Sequence, residues 1–209
     1  MGLLRLTQWL SPAFPVSAYA YSHGLETEIA LGRLCDGAAV AAWIETVLRR
    51  GAGRTDAILM VAAMAEDADL EELADLARGL AGSRERWEET RDQGAALAAT
   101  LQVLGEGDGT ARAYPVVFGA AAGRLGVAPN VVAELYLQGF ASNLISAAVR
   151  FMPLGQTQGQ SILSGLQAVV CAVAAEAVTC GLEGLGQAAF GADLAAMEHE
   201  GLDVRIFRT

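Results

Sequence analysis

The chain has 209 residues, a formal charge of -10, 53% hydrophobic residues but only 6% aromatics, and all 14 of its cationic side chains are arginine. Without lysine there can be neither a P-loop lysine nor a lysine Schiff base, and so acidic a chain suits a basic protein partner better than nucleic acid, whose binding rests on cationic contacts to phosphate. Alanine supplies much of the apolar fraction, which favours closely packed helices over a sheet sandwich, and the length suffices for one domain burying roughly 70% of its unfolded surface.

In chain order, a short helix is expected over about 3–10, followed by a rigid segment carrying Pro12 and Pro15. Each proline fixes its own φ and pushes the preceding residue toward extended geometry. Ser22 can cap the next helix, about 23–32, with Glu26 and Glu28 near its positive end. Helices follow over about 37–51, with Asp36 as N-cap, and over about 55–66. Asp69 and Glu72 open a helix reaching about Ala81, and Ser83 opens a longer one to about Leu104. The Gly105–Gly109 loop holds two carboxylates and no lysine, so it reads as a mobile surface connection rather than a phosphate loop.

The second half supplies the core. After a helix near Pro115–Leu125, a long helix runs from Asn130 to about Met152. On it Glu134, Gln138, Ser142, Ser146 and Arg150 form one narrow polar stripe, and two apolar rows occupy most of the remaining circumference, as a central helix requires. The Pro153-Leu154-Gly155 turn reverses the chain into a helix at about 158–180. Gly155 suits a left-handed C-cap and Thr157-x-x-Gln160 has the capping-box pattern. This αα-hairpin explains Gly155, Thr157 and Gln160 structurally but leaves Arg150 and Gln156 open to either structure or partner docking. A last helix near 192–200 ends before Gly201 and a tail.

No run of about 20 apolar residues lacks polar interruption and residues 1–10 do not form a secretory signal, so a soluble cytoplasmic protein is expected. Cys35, Cys171 and Cys180 are too dispersed for a disulfide framework, and Cys171 is expected to be a buried small hydrophobe. His23 and His199 are the only histidines, with no G-x-S-x-G elbow, no H-E-x-x-H and no cysteine pair at metal spacing. His23 and Cys35 read as ordinary packing or surface residues. The tail places Ile206 and Phe207 beside Arg205 and Arg208, residue types enriched at interfaces, although terminal residues ordinarily fray.

Three stretches carry a resemblance that spans nearly the whole chain. Ser11-Pro12 to Pro15-Val16 and on to Tyr21-Ser22-His23-Gly24-Leu25-Glu26 is similar to the N-terminal signature of the UreF family. Arg150-Phe151-Met152-Pro153-Leu154-Gly155-Gln156 through Gly159-Gln160 resembles its R-x-x-P-L-G-Q-x-x-G-Q motif. His199-Glu200 followed by Arg205-Ile206-Phe207-Arg208-Thr209 resembles its H-E and R-L-F-R-S ending, with Ile206 for Leu and Thr209 for Ser. Ser83-Arg84-Glu85 through Gln93-Gly94 is a looser match.

The resemblance implies an all-α, single-domain bundle of about ten helices over residues 1–209, with a central buried αα-hairpin and residues 201–209 as a docking tail. It implies a cytoplasmic homodimer that is not an enzyme. Such a protein joins UreD (UreH in some species), recruits the GTPase UreG and engages apo-urease for nickel insertion, with no contact to nucleic acid or membrane. GTP chemistry would belong to UreG, and nickel would pass in transit with no tightly bound cofactor and no resident metal ligand. Pro12, Pro15, Tyr19, Tyr21 and Glu26 would shape a rigid partner or self-association surface. Arg150, Gln156 and Gln160 would give polar contacts near the hairpin turn, and Arg205, Phe207 and Arg208 would dock the tail onto UreD. The alternative is an α-helical enzyme or small-ligand protein that uses the Glu134–Arg150 polar stripe as its pocket.

Overall fold

The computed structural model describes residues 1–208; Thr209, the end of the expected docking tail, lies outside the described residues. Among the described residues there are eleven α-helices and no strand, against about ten helices expected. In chain order they are α1 (Gly2–Trp9), α2 (Leu25–Ala30), α3 (Gly37–Arg50), α4 (Ala52–Ala62), α5 (Leu70–Gly79) and α6 (Arg84–Val103), then α7 (Tyr114–Ala122), α8 (Pro129–Phe151), α9 (Gln156–Gly165), α10 (Gln167–Thr179) and α11 (Phe190–His199).

Local capping fixes several starts. The Asp36 carboxylate accepts the Ala39 N–H at 2.8 Å, Asp69 accepts from Glu71 and Glu72, and Ser83 Oγ accepts from Arg86. The Glu26 N–H donates to Ser22 Oγ at 3.2 Å, but α2 begins at Leu25 rather than about 23 and its N-cap is Gly24, not Ser22 as expected.

Helix α8 is the central element, packed by α2, α3, α4, α9 and α10. Val132, Ala133, Tyr136, Leu137, Ala141, Leu144, Ile145 and Ala148 are its buried side. Helix α4 runs between α3, α7, α8 and α10, while α5 closes a smaller apolar cluster with Leu59, Leu73 and Val116. Close approach of α4 and α7 is possible because Gly119 lacks a side chain: a Cβ there would lie 2.1 Å from the Met60 carbonyl oxygen. Helix α11 packs on α2 and α6.

The hairpin after α8 differs from expectation in three respects. The expected helix at about 158–180 is two helices meeting at Leu166 with a 43° bend. Gly155 is extended (φ -70°, ψ 151°) and stands as the N-cap of α9 rather than a left-handed C-cap, and no side chain caps that end, so the Thr157–Gln160 box does not form. Cys171 is exposed rather than buried, because α10 buries only the side carrying Val169, Val170, Val173, Ala174 and Ala177. No single described helix is long and apolar enough to cross a membrane; only the bent α9–α10 pair together has the length and composition.

Candidate functional site

The proline segment becomes a strap laid across α8. Pro12, Pro15 and Tyr19 face outward, while Phe14 and Val16 are buried in the core and pin the strap down. Ser17 (φ 57°) and His23 (φ 53°) adopt left-handed backbone, a conformation that non-glycine residues hold only when their surroundings enforce it. Gly24 (φ 76°) follows, and a Cβ there would meet the Ala195 side chain and the Ala196 nitrogen at 2.8 Å. The glycine therefore allows α11 to sit directly on the start of α2.

That contact assembles a clasp around the tail. His199 is fully buried, and its Nδ1 lies 2.8 Å from Glu85 Oε2 while its Nε2 lies 3.0 Å from Glu26 Oε2. Both contacts are hydrogen bonds together only if the three groups share enough protons for one on each contact, as in an imidazolium between two carboxylates. Glu26, 1% exposed, also accepts the Ile206 N–H on Oε1 (2.7 Å) and the Phe207 N–H on Oε2 (2.8 Å). Arg205 pairs with Glu85 Oε1 at 2.8 Å, and the Arg208 N–H donates to the Ala20 carbonyl at 2.7 Å. Phe207 is 5% exposed and belongs to the main core. Charge-assisted bonds to a buried carboxylate are the strong ones, so this is a seated tail rather than a frayed end.

These placements redistribute the residues named from sequence. Glu26, Tyr21 and Phe207 are buried within the chain and are not surface groups; only Ile206 of the apolar tail pair is exposed. Arg150 reaches the strap, its Nη1 donating to the Tyr19 carbonyl at 3.1 Å and its guanidinium lying 5.8 Å from the Tyr19 ring centre. Arg208 Nη1 donates to the Tyr21 hydroxyl at 3.3 Å. Exposed Arg150 and Tyr19 thus touch, exposed Arg208 adjoins them through Ala20 and Tyr21, and Ile206 is exposed on the tail and Pro12 and Pro15 on the strap. Gln156 and Gln160 are exposed on α9 and make no hydrogen bond with the strap or tail among the described residues.

Beneath the strap lies a narrow cleft lined by all four tyrosines, Tyr19, Tyr21, Tyr114 and Tyr136. An ion network forms its floor. Arg86 bridges Asp56 Oδ2 (2.6 Å) and Glu89 Oε2 (3.1 Å), His23 Nε2 meets Glu89 Oε1 at 3.1 Å, and the Tyr136 hydroxyl donates to Asp56 at 3.1 Å. Burial raises the Asp56 carboxyl above its ordinary value of 3.8 despite Arg86. Burial also pushes Glu89 upward, but His23 and Arg86 outweigh it and hold that carboxyl below 4.5. The tyrosine hydroxyls of 114 and 136 are raised by burial and by Asp56. The polar stripe offered as a pocket is not this cleft: α8 contributes Tyr136, Gly139, Phe140, Asn143 and Leu144 instead. Glu134 is satisfied by Asn130, and Ser146 bonds back to the Ser142 carbonyl.

In sequence His199 and Glu85 stand only within the stretches that resemble the family, and nothing there selects Arg86, Glu89 or Asp56. Their signal was charge at positions on the apolar sides of α4, α6 and α11, where buried ionic groups demand partners. Among the described residues no cluster of three or more His, Cys, Asp or Glu side chains could hold a metal ion.

The UreF family model matches residues 34–167, between the strap and the clasped tail. Full-length relatives extend the match through both. The urease accessory protein UreF of Jannaschia sp. (strain CCS1) is 73% identical over 208 residues, covering 100% of this chain and 94% of the relative. The protein of that name from Cereibacter sphaeroides (strain ATCC 17025 / ATH 2.4.3) is 54% identical over 208 residues, covering 100% and 99%. That of Paracoccus denitrificans (strain Pd 1222) is 46% identical over 206 residues, covering 99% and 95%.

Proposed function

Because the chain belongs to the UreF family of urease accessory proteins, we propose that within urease maturation it is a non-enzymatic scaffold: a cytoplasmic homodimer that joins UreD, recruits the GTPase UreG and presents both to apo-urease for nickel insertion. Nickel is cargo in this reading, and the missing lysine leaves GTP hydrolysis to UreG.

The observation that carries the reading is the convergence of three distant stretches on one exposed surface. Strap residue Tyr19 meets α8 residue Arg150, and the seated tail brings Arg208 against the same strap through Ala20 and Tyr21. Arginine and tyrosine are the side chains that dominate binding hot spots, and holding them in place before association lowers the entropic cost of docking. On a chain of net charge -10 this arginine-bearing surface suits a carboxylate-rich face of a partner.

The test is light-scattering mass after size exclusion of the chain co-expressed with UreD and UreG. A discrete complex with paired copies of each subunit is expected, and Arg150→Ala with Arg208→Ala, both at exposed positions, should lose it while keeping native helical content. Elution of the wild-type chain alone beside soluble, folded UreD and UreG would overturn the scaffold reading.

A further inference from the structure

Helix α11 presents a second surface of different chemistry. Phe190, Leu194 and Met197 fall at i, i+4 and i+7 and are 70%, 59% and 51% exposed, while Ala195, Ala196 and His199 on the far side are buried against the fold. Large side chains so exposed along one helix face are unusual for a surface with nothing to cover them. Helical geometry places Glu198 along one flank of this ridge and Asp193 and Glu200 along the other. Glu198 is tied to Arg33 and Glu200 to Arg84. The Asp193 carboxylate has no hydrogen-bond or ion-pair partner among the described residues and sits against the Gly82 backbone, and burial raises its carboxyl.

Resting on the scaffold reading, we propose that this ridge is a separate docking face for a protein partner, which lays an apolar helix flanked by lysine or arginine along Phe190, Leu194 and Met197 and pairs a cation with Asp193. Charge decides against a second copy of this chain. An isologous pairing of α11 helices would set the same carboxylates against each other, and the arginines that flank the ridge, Arg33 and Arg84, are already engaged. A basic-flanked helix gains both the apolar contact and the counter-charge to Asp193. The scaffold then carries two faces of opposite character, an arginine–tyrosine patch and an acid-rimmed apolar ridge, so two unlike partners are sorted by chemistry.

The experiment is fluorescence anisotropy of the full chain with two labelled synthetic amphipathic helices, one of leucine and lysine and one of leucine and glutamate. It needs neither UreD nor UreG, so its failure is distinguishable from failure of the scaffold assay. The wild-type chain should bind the leucine–lysine helix, with affinity falling as salt rises, and not the leucine–glutamate helix. Leu194→Glu with Met197→Glu should weaken binding about tenfold or more although it adds two negative charges, and Asp193→Asn should weaken it about threefold. Equal or tighter binding by the double variant would reduce the interaction to net charge and overturn the proposal, as would a wild-type chain that binds neither helix. A wild-type dimer that the double variant converts to monomer would assign the ridge to self-association and overturn it too.

Discussion

Replacing Glu26 by glutamine tests whether one carboxylate seats the tail. The wild-type side chain gives one oxygen to the Ile206 N–H and the other to the Phe207 N–H and His199. An amide keeps one acceptor and turns the other into a donor facing a donor. Losing a charge-assisted hydrogen bond costs about 1.5–3 kcal/mol, and the buried N–H left unpaired adds about 1–3 kcal/mol. The tail can escape part of this by lifting off, so the measurable quantity is local opening rather than global unfolding. If opening becomes easier by about 3 kcal/mol, the Ile206 and Phe207 amides should exchange roughly a hundredfold faster in native-state hydrogen exchange. Amides in α8 should keep their wild-type protection. Glu45→Gln is the control, since that carboxylate pairs with Arg49 within α3, away from the clasp. Wild-type exchange at Ile206 and Phe207 in the Glu26 variant would refute the clasp.

Phe207→Ala removes a core side chain and should lower stability by about 3 kcal/mol, or roughly 6–12 °C of Tm by calorimetry for a domain this size, before any partner is present. Gly119→Ala must force α4 and α7 apart and should cost about 2 kcal/mol in urea denaturation. The folded Glu89 carboxyl titrates below 4.5, so its contribution is complete above about that pH and is lost as pH falls through the depressed value. Asp56 has the opposite sign: its raised carboxyl favours the native state most below 3.8, and that contribution is lost as pH rises through the raised value. Glu89→Gln should therefore be less stable at neutral pH yet show a shallower loss of stability below pH 4.5 in acid titration followed by circular dichroism.

Most helix positions were legible because their causes are local. Asp36, Asp69 and Ser83 cap the helices they precede with their own side chains, and the apolar rows of α8 require a central helix whatever surrounds it. The break at Leu166 carries no proline, but the Ser164-Gly165 pair just before it is a sequence associated with helix kinks, and the apolar residues on either side masked that signal. The exposure of Cys171 was missed for a related reason: α10 is rich in small apolar residues all round, so its sequence does not say which side meets solvent. For the tail, the residue types at 205–208 were visible but their mates were not. Glu26 lies 180 residues from Ile206 in sequence, and nothing local pairs a carboxylate with a particular backbone N–H. The same holds for the network under the strap, where Asp56 and Tyr136 are 80 positions apart.

The route to the clasp has a kinetic side. Helix α11 reaches α2 through the bare backbone of Gly24, and that packing already delivers His199 to Glu26. Once it has formed, closing the tail onto Glu26 spans only the short stretch from His199 to Ile206 rather than most of the chain, and loop closure of that length is a submicrosecond event. Helix docking is therefore the slow, committing step and tail seating the fast one that follows. A substitution at Gly24 should retard folding as a whole, while substitutions at Glu26 should act after the barrier and appear mainly as faster release.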